Sequence, residues 1–300
     1  MNNIIEVKDL KKVYHMGKEK IYAVNGVNFT IREGEFCCLL GTSGSGKSTL
    51  LNLMAGIEKA SKGSIIIKGE DVVKLNETKL AKFRQNYLGF VFQAYNLIGS
   101  MNALENVEFP LIFKRVPAGK RKKMAIRMLK RVGLGERLYH KPKEMSGGQQ
   151  QRVGIARAFV ANPQIVFADE PTGNLDTKTT MEVMDLIHDL ARRNKQTIVM
   201  VTHDPRLAEY GDKIIRVSDG KIVDVEVRKT DEEILNEQME ASRRAEIEKM
   251  EKIEKAKEAK RRKEEAKALK AAGHKKEAKT ENTEDKKENE QDEQKTDETV

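Results

Sequence analysis

Apolar residues in the first 228 positions fall into runs of two kinds. Four short runs, Phe36 to Leu40, Leu88 to Phe92, Ile165 to Ala168 and Ile198 to Val201, are apolar almost throughout. Strands covered on both faces read this way, which predicts a buried parallel core. The second kind alternates: Ile5, Val7 and Leu10 stand among polar neighbours from Ile4 to Tyr14, and a further strand is expected from Tyr22 to Ile31 before the turn Arg32-Glu33-Gly34-Glu35. With Ser64 to Lys68 and Asp71 to Val73, a hairpin about Gly69, these predict an antiparallel sheet beside the parallel core. Lys213 to Val217 and Lys221 to Val227, joined by Asp219-Gly220, predict a closing pair of strands. Helices are expected over Thr49 to Ala55, Asn76 to Arg84, Gly119 to Val132, Val153 to Val160 and Thr177 to Asn194. In the last of these, Met181, Met184, Ile187 and Leu190 recur at helical spacing and are expected in the core. Residues 94–145 hold Pro110, Pro117 and Pro142 and no strong strand signal, which predicts a helical lobe continuing to about 158.

Composition changes the picture beyond position 228. Every Tyr and Phe lies at or before Tyr210. From Asp231 onward there are 18 Lys and Arg against 22 Asp and Glu, so the first 230 residues carry +13 of a chain whose net charge is +9. Residues 229–272 are expected to form a charged helical extension held by i,i+4 ion pairs, and 273–300 a disordered polar tail. The basic folded part suits phosphates, anionic lipid or nucleic acid without choosing among them. No run of 18 apolar residues occurs, and Met1 to Leu10 lacks the apolar stretch of a signal peptide, so a cytosolic chain is expected whose membrane role would need a partner. Cys37 and Cys38, adjacent in an apolar strand, are expected to be buried apolar residues.

The chemistry gathers where apolar strands end. Phe36 to Leu40 runs into Gly41-Thr42-Ser43-Gly44-Ser45-Gly46-Lys47-Ser48-Thr49, which fits the phosphate-binding pattern Gly-x4-Gly-Lys-Ser/Thr between a strand and a helix. Gly44 and Gly46 admit backbone conformations closed to residues with a Cβ, so successive N–H groups can turn around an anion at a helix N-terminus. Lys47 is then expected between β- and γ-phosphates and Ser48 on a magnesium ion. The strand from Ile165 closes on two carboxylates, Asp169 and Glu170. Unpaired charge there is costly, so one is expected to bind magnesium through water and the other to polarise an attacking water. Gln93 and His203 also stand at strand ends, where ligands meet a crevice. Ser146-Gly147-Gly148 opens a helix and reads either as a second anion site or as a plain cap.

Taken together, the phosphate loop, Gln93, Ser146 to Gln149, Asp169-Glu170, Asn174-Leu175-Asp176 and His203 resemble the nucleotide-binding subunit of an ATP-binding-cassette (ABC) transporter over about residues 3–228. Phe90-Val91-Phe92-Gln93, Ala103-Leu104-Glu105-Asn106-Val107, the Gln149-Gln150-Gln151-Arg152 run and Asp169 to Asp176 resemble the macrolide-exporter and lipoprotein-releasing subfamily, with cell-division and bacitracin-type relatives close by. Met145 stands where the family usually has Leu, a volume-conserving change. The resemblance implies an α/β P-loop NTPase fold: a RecA-like parallel core, an antiparallel β subdomain and a helical subdomain. It implies ATP and Mg2+ as cofactors. Tyr14 would stack on adenine; Gly41 to Thr49 would bind phosphates and magnesium; Asp169 and Gln93 would complete the metal shell. Glu170 would be the general base and His203 would contact the γ-phosphate. Ser146, Gly147, Gly148 and Gln149 would complete the site of a second copy, two cassettes sandwiching two ATP molecules head to tail with Asp176 at the interface. The implied function is ATP hydrolysis that drives an integral membrane permease, seated against the 94–145 lobe at the inner face of the cell membrane, for export or extraction of a peptide, drug or lipoprotein-like substrate. Regulation of a membrane partner without transport stays open. Soluble action on nucleic acid or ribosomes is disfavoured by the single unbroken cassette, and no nucleic-acid partner is expected.

Overall fold

The computed structural model describes residues 2–17 and 19–228, and in the C-terminal extension 239–240, 242–244, 246–252, 254–255 and 262. The chain divides after Arg228 into two units. The first unit opens with the long strands β1 (Asn3–Met16) and β2 (Glu19–Arg32), then β3 (Phe36–Leu40) and α1 (Lys47–Met54). β4 (Lys62–Ile67) and the two-residue β5 (Glu70–Asp71) lead into α2 (Glu77–Tyr87) and β6 (Leu88–Val91). Three helices follow, α3 (Ala103–Phe113), α4 (Ala118–Arg131) and α5 (Gly147–Phe159). β7 (Ile165–Asp169), α6 (Thr177–Asn194), β8 (Thr197–Thr202), the short α7 (Pro205–Ala208), β9 (Lys213–Ser218) and β10 (Lys221–Val227) complete it.

Two sheets result. An antiparallel one has the order β2-β1-β4-β5; the central one, β10-β9-β3-β8-β7-β6, is parallel except for its edge pair β9 and β10. The apolar runs are explained by the central sheet, whose two faces fill different cores. Cys37 and Leu39 of β3, Ile165 and Phe167 of β7, and Val199 and Val201 of β8 pack with α1 and the antiparallel sheet. Phe36, Cys38 and Leu40, Val166 and Ala168, and Ile198 and Met200 point the other way, into the core shared with α3 to α6. Alternation persists, but both sides are dry. Between β6 and β7, residues 94–145 form α3, α4 and a single 3-10 turn, with no strand among them.

Some elements differ from expectation. β5 stops at Asp71, whose carboxylate accepts a hydrogen bond from the Val73 N–H (3.2 Å) and opens a 3-10 turn, Val72–Lys74, in place of the expected strand to Val73. Met181 is 42% exposed; α6 buries Thr180, Val183, Met184, Ile187, Leu190 and Ala191, and Met181 lies about 100° around the helix from that stripe. β1 and β2 run past Tyr14 and start before Tyr22, because main-chain pairing continues where the apolar pattern has stopped. α7 was not expected.

In the second unit the described residues are helical, with the i,i+4 pairs Glu240–Arg244 and Glu248–Lys252. The rest of the expected extension and the expected tail 273–300 lie outside the described residues. Among the described residues no helix is long and apolar enough to cross a membrane.

Candidate active site

The loop after β3 is shaped by what a Cβ would strike. Gly46, at φ 99°, is the N-cap of α1 and makes no side-chain cap, so the first N–H groups of the helix stay open. A Cβ on Gly46 would lie 2.1 Å from the Ala23 carbonyl oxygen, and one on Gly41 2.2 Å from that of Val217. Gly44 is also left-handed, at φ 78°. The Ser45 carbonyl accepts from Gly220 N–H (3.0 Å), which ties the loop to the turn before β10. Lys47, only 4% exposed, donates to the Thr42 carbonyl (2.6 Å) and the Ser45 hydroxyl (3.4 Å). Burial pulls its ammonium below the ordinary lysine value, while Glu170 and Asp169 act in the opposite sense.

Parallel pairing of β3 with β8 and β8 with β7 aligns the strand ends beside this loop. Ser48 Oγ donates to Asp169 Oδ1 (2.9 Å). Burial raises the Asp169 carboxyl above its ordinary value; the Ser48 hydrogen bond and Lys47 oppose the shift, and Glu170 adds to it. Glu170 leaves the strand at φ 41°, a left-handed conformation that a residue with a Cβ rarely adopts. Its Oε1 lies 3.2 Å from His203 Nδ1. A cavity of about 190 Å³ opens against Glu170 and His203. Gln93 lies two residues beyond β6, its amide folded over Gly173, and no hydrogen bond joins it to Ser48 or Asp169.

The Ser48 and Asp169 oxygens suit magnesium, which takes hard oxygen ligands and is held by one or two protein groups together with phosphates and water. Among the described residues no cluster of three or more His, Cys, Asp or Glu side chains could cage a metal.

Tyr14, 36% exposed, donates its hydroxyl to Glu58 Oε2 (2.5 Å), and Lys12 stands 4.9 Å from its ring centre and 3.4 Å from the same carboxylate. Burial and the Glu58 hydrogen bond raise the phenol above its ordinary value. The loop, Asp169, Glu170 and His203 are thus brought together, while the partners of Tyr14 are Glu58 and Lys12. Ser146 to Gln149 are not: no hydrogen bond or ion pair joins them to the loop or to Glu170. They form a capping box in which Ser146 Oγ accepts from Gln149 N–H (3.3 Å) and Gln149 Oε1 accepts from Ser146 N–H (3.1 Å). That leaves the N–H groups of Gly147 and Gly148 facing out of the helix end. Asp176 caps α6 through Thr179 N–H (3.0 Å) and the Thr179 hydroxyl (2.7 Å), which hold its carboxyl below the usual range.

A second concavity, about 1300 Å³, lies where α2 and β6 meet α3 and α5. Phe90, Phe92 and Phe109 line it, with five Lys and Arg and no carboxylate. Arg84, Lys114 and Arg157 there donate to main-chain carbonyls of Gly56, Asn86, Ala161, Tyr95 and Asn96. Sequence reading passed over Glu58, Lys12 and Arg157; each bonds a partner far along the chain.

The ABC transporter family profile matches residues 24–173. The chain is 45% identical to the lipoprotein-releasing system ATP-binding protein LolD of Geobacter metallireducens, over 74% of this chain and 99% of that protein. It is 43% identical to the macrolide export ATP-binding/permease protein MacB of Chlorobaculum tepidum, over 79% of this chain but 36% of that longer protein. Its fold is similar to a dimeric, post-hydrolysis structure of the ATP-binding cassette MJ0796 of Methanocaldococcus jannaschii bound to ADP and Pi, with a TM-score of 0.71 and 43% identity over 75% of this chain and 99% of that one.

Proposed function

Since the chain belongs to the ABC transporter family, as an ATP-binding and ATP-hydrolysing subunit of the type found in lipoprotein-releasing and macrolide-export systems, we propose that it works in a pair. ATP closes it head to tail against a second copy, hydrolysis reopens it, and the movement drives an integral membrane permease at the inner face of the cell membrane. The cargo class most in keeping with its relatives is a peptide, drug or lipoprotein-like molecule that is exported or extracted.

Within one chain the open N-terminus of α1 and Lys47 would cradle the phosphates, with Thr42, Ser43, Ser45 and Thr49 along the loop. Magnesium, when bound with the nucleotide, would supply positive charge against the phosphate oxygens, held by Ser48 and Asp169, with Gln93 turning inward from Gly173. Tyr14 would carry the adenine on its exposed ring. Glu170 would take the proton of the attacking water, oriented by His203, which would also reach the γ-phosphate. The Gly147 and Gly148 N–H groups, with Ser146 and Gln149, would meet the nucleotide of the second copy, and Asp176 would lie at that junction. The permease would sit in the phenylalanine-lined concavity, where Arg84, Lys114 and Arg157 bond main-chain carbonyls and the cations would favour acidic groups on the incoming segment.

The observation that carries this reading is the convergence of Lys47, Ser48–Asp169 and Glu170–His203 beside an uncapped helix N-terminus. Glu170→Gln tests it. The variant is expected to bind ATP normally, to slow steady-state hydrolysis by roughly two to four orders of magnitude, and to accumulate as an ATP-bound dimer on gel filtration. Near-normal turnover would remove Glu170 as the base.

A further inference from the structure

Gln151 is fully buried on α5, yet half of its amide is unused: Oε1 has no hydrogen-bond partner among the described residues. The other half is committed. Nε2 donates to the Pro171 carbonyl (2.5 Å) and, more weakly, to the Phe92 carbonyl (3.4 Å). These partners fix the orientation, because the reversed amide would set its oxygen against two carbonyl oxygens. An orphaned buried acceptor weakens a fold, so packing alone gives poor reason for an amide here.

The two carbonyls are the main-chain groups next to Glu170 and Gln93. Pro171 follows Glu170, and Phe92 precedes Gln93. The same stretch is gripped at further points: Asn174 Nδ2 donates to the Gln93 carbonyl (3.0 Å), and Arg157, also on α5, donates to the carbonyls of Tyr95 (3.0 Å) and Asn96 (2.5 Å). Tyr95 and Asn96 sit at φ 57° and 48°, conformations that persist only where surroundings over-determine them. α5 therefore holds the 92–96 segment from both sides, and its first turn is the Ser146 cap.

We propose that Gln151 is a positioning residue that transmits the placement of α5 to Gln93 and Glu170, so that engagement of the Ser146 end by the second copy sets the hydrolytic geometry of this chain's own site. The proposal rests on the roles given above to Gln93, Glu170 and Ser146. A small displacement suffices, since misplacement by about 1 Å can slow a reaction roughly a hundredfold.

The full-length Gln151→Met variant removes both donors and the orphaned acceptor at nearly constant volume. Expected are a fall in kcat of roughly ten- to a hundredfold, a rise in the Mg2+ concentration that half-saturates turnover, and affinity for a fluorescent ATP analogue within about twofold of the parent. Gln151→Leu, an apolar side chain that also lacks the amide, should have the same effect and serves if the first variant folds poorly. A residue with a packing role alone would lower Tm while leaving kcat per folded molecule and the Mg2+ requirement unchanged, and that result overturns the proposal. Glu170→Gln assayed in parallel separates the two readings. If it turns over normally, the base assignment fails and the proposal falls with it; if it is inactive while Gln151→Met is fully active, the proposal alone falls.

Discussion

Asp169 shows at the level of one side chain how a site trades stability for chemistry. Burial raises its carboxyl above the ordinary aspartate value, so the folded chain holds the proton more tightly than the unfolded one. The stability this proton brings is fully present below the unfolded value and is lost as pH rises through the folded value. At neutral pH the ionised group therefore works against folding. Asp169→Asn is expected to raise the Tm of the ligand-free protein at pH 7, to lose that advantage as the pH is lowered in a series of thermal melts, and to abolish Mg2+-dependent hydrolysis. Lys47, Ser48, Asp169 and Glu170 were legible in the sequence because the chemistry fixes their spacing from a glycine loop or a strand end. Gln151 and Arg157 were not. Their bonds run to main-chain carbonyls, which any residue can supply, so the partner positions carry no mark. The left-handed backbone of Glu170 is equally silent, since no glycine announces it.

The same contrast holds for whole elements. The strands β3, β7 and β8 were readable because both faces are buried, and α6 because its apolar stripe recurs at helical spacing. Its one misplaced residue, Met181, shows that a period alone leaves the width of the stripe undetermined. α3 is harder to read, because what anchors it is a polar residue. Asn106 is fully buried; its Oδ1 accepts from Ile98 N–H (2.8 Å), and its Nδ2 reaches the carbonyls of Ile98 (3.2 Å), Met101 (3.1 Å) and Asn102 (3.0 Å). It thus replaces a missing turn between the end of the 92–96 segment and the helix. Asn106→Ala would leave these groups unpaired in the interior at a cost of about 2–3 kcal/mol. For a unit of this size that is a fall in Tm of about 5–10 °C, measurable by differential scanning fluorimetry.

On the scale of the molecule, the aromatic residues stop at Tyr210 and the compact unit at Arg228. A chain ending at residue 228 is expected to express as a folded protein with the Tm and ATPase rate of the full-length chain; a loss of either, measured side by side, would assign the extension a part in folding or turnover. Three clamps on the phosphate loop come from two segments distant in sequence, β2 and the β9–β10 hairpin: the carbonyls of Ala23 and Val217 meet Gly46 and Gly41, and Gly220 bonds Ser45. Contacts made by main chain constrain path and not identity. What the loop requires at positions 23 and 217 is the course of the main chain; the Val217 side chain answers to the core behind it. A one-residue insertion or deletion in β2 or β9 would shift a carbonyl against which the anion cradle is packed, so the cradle is held by the lengths of strands that contribute no side chain to it.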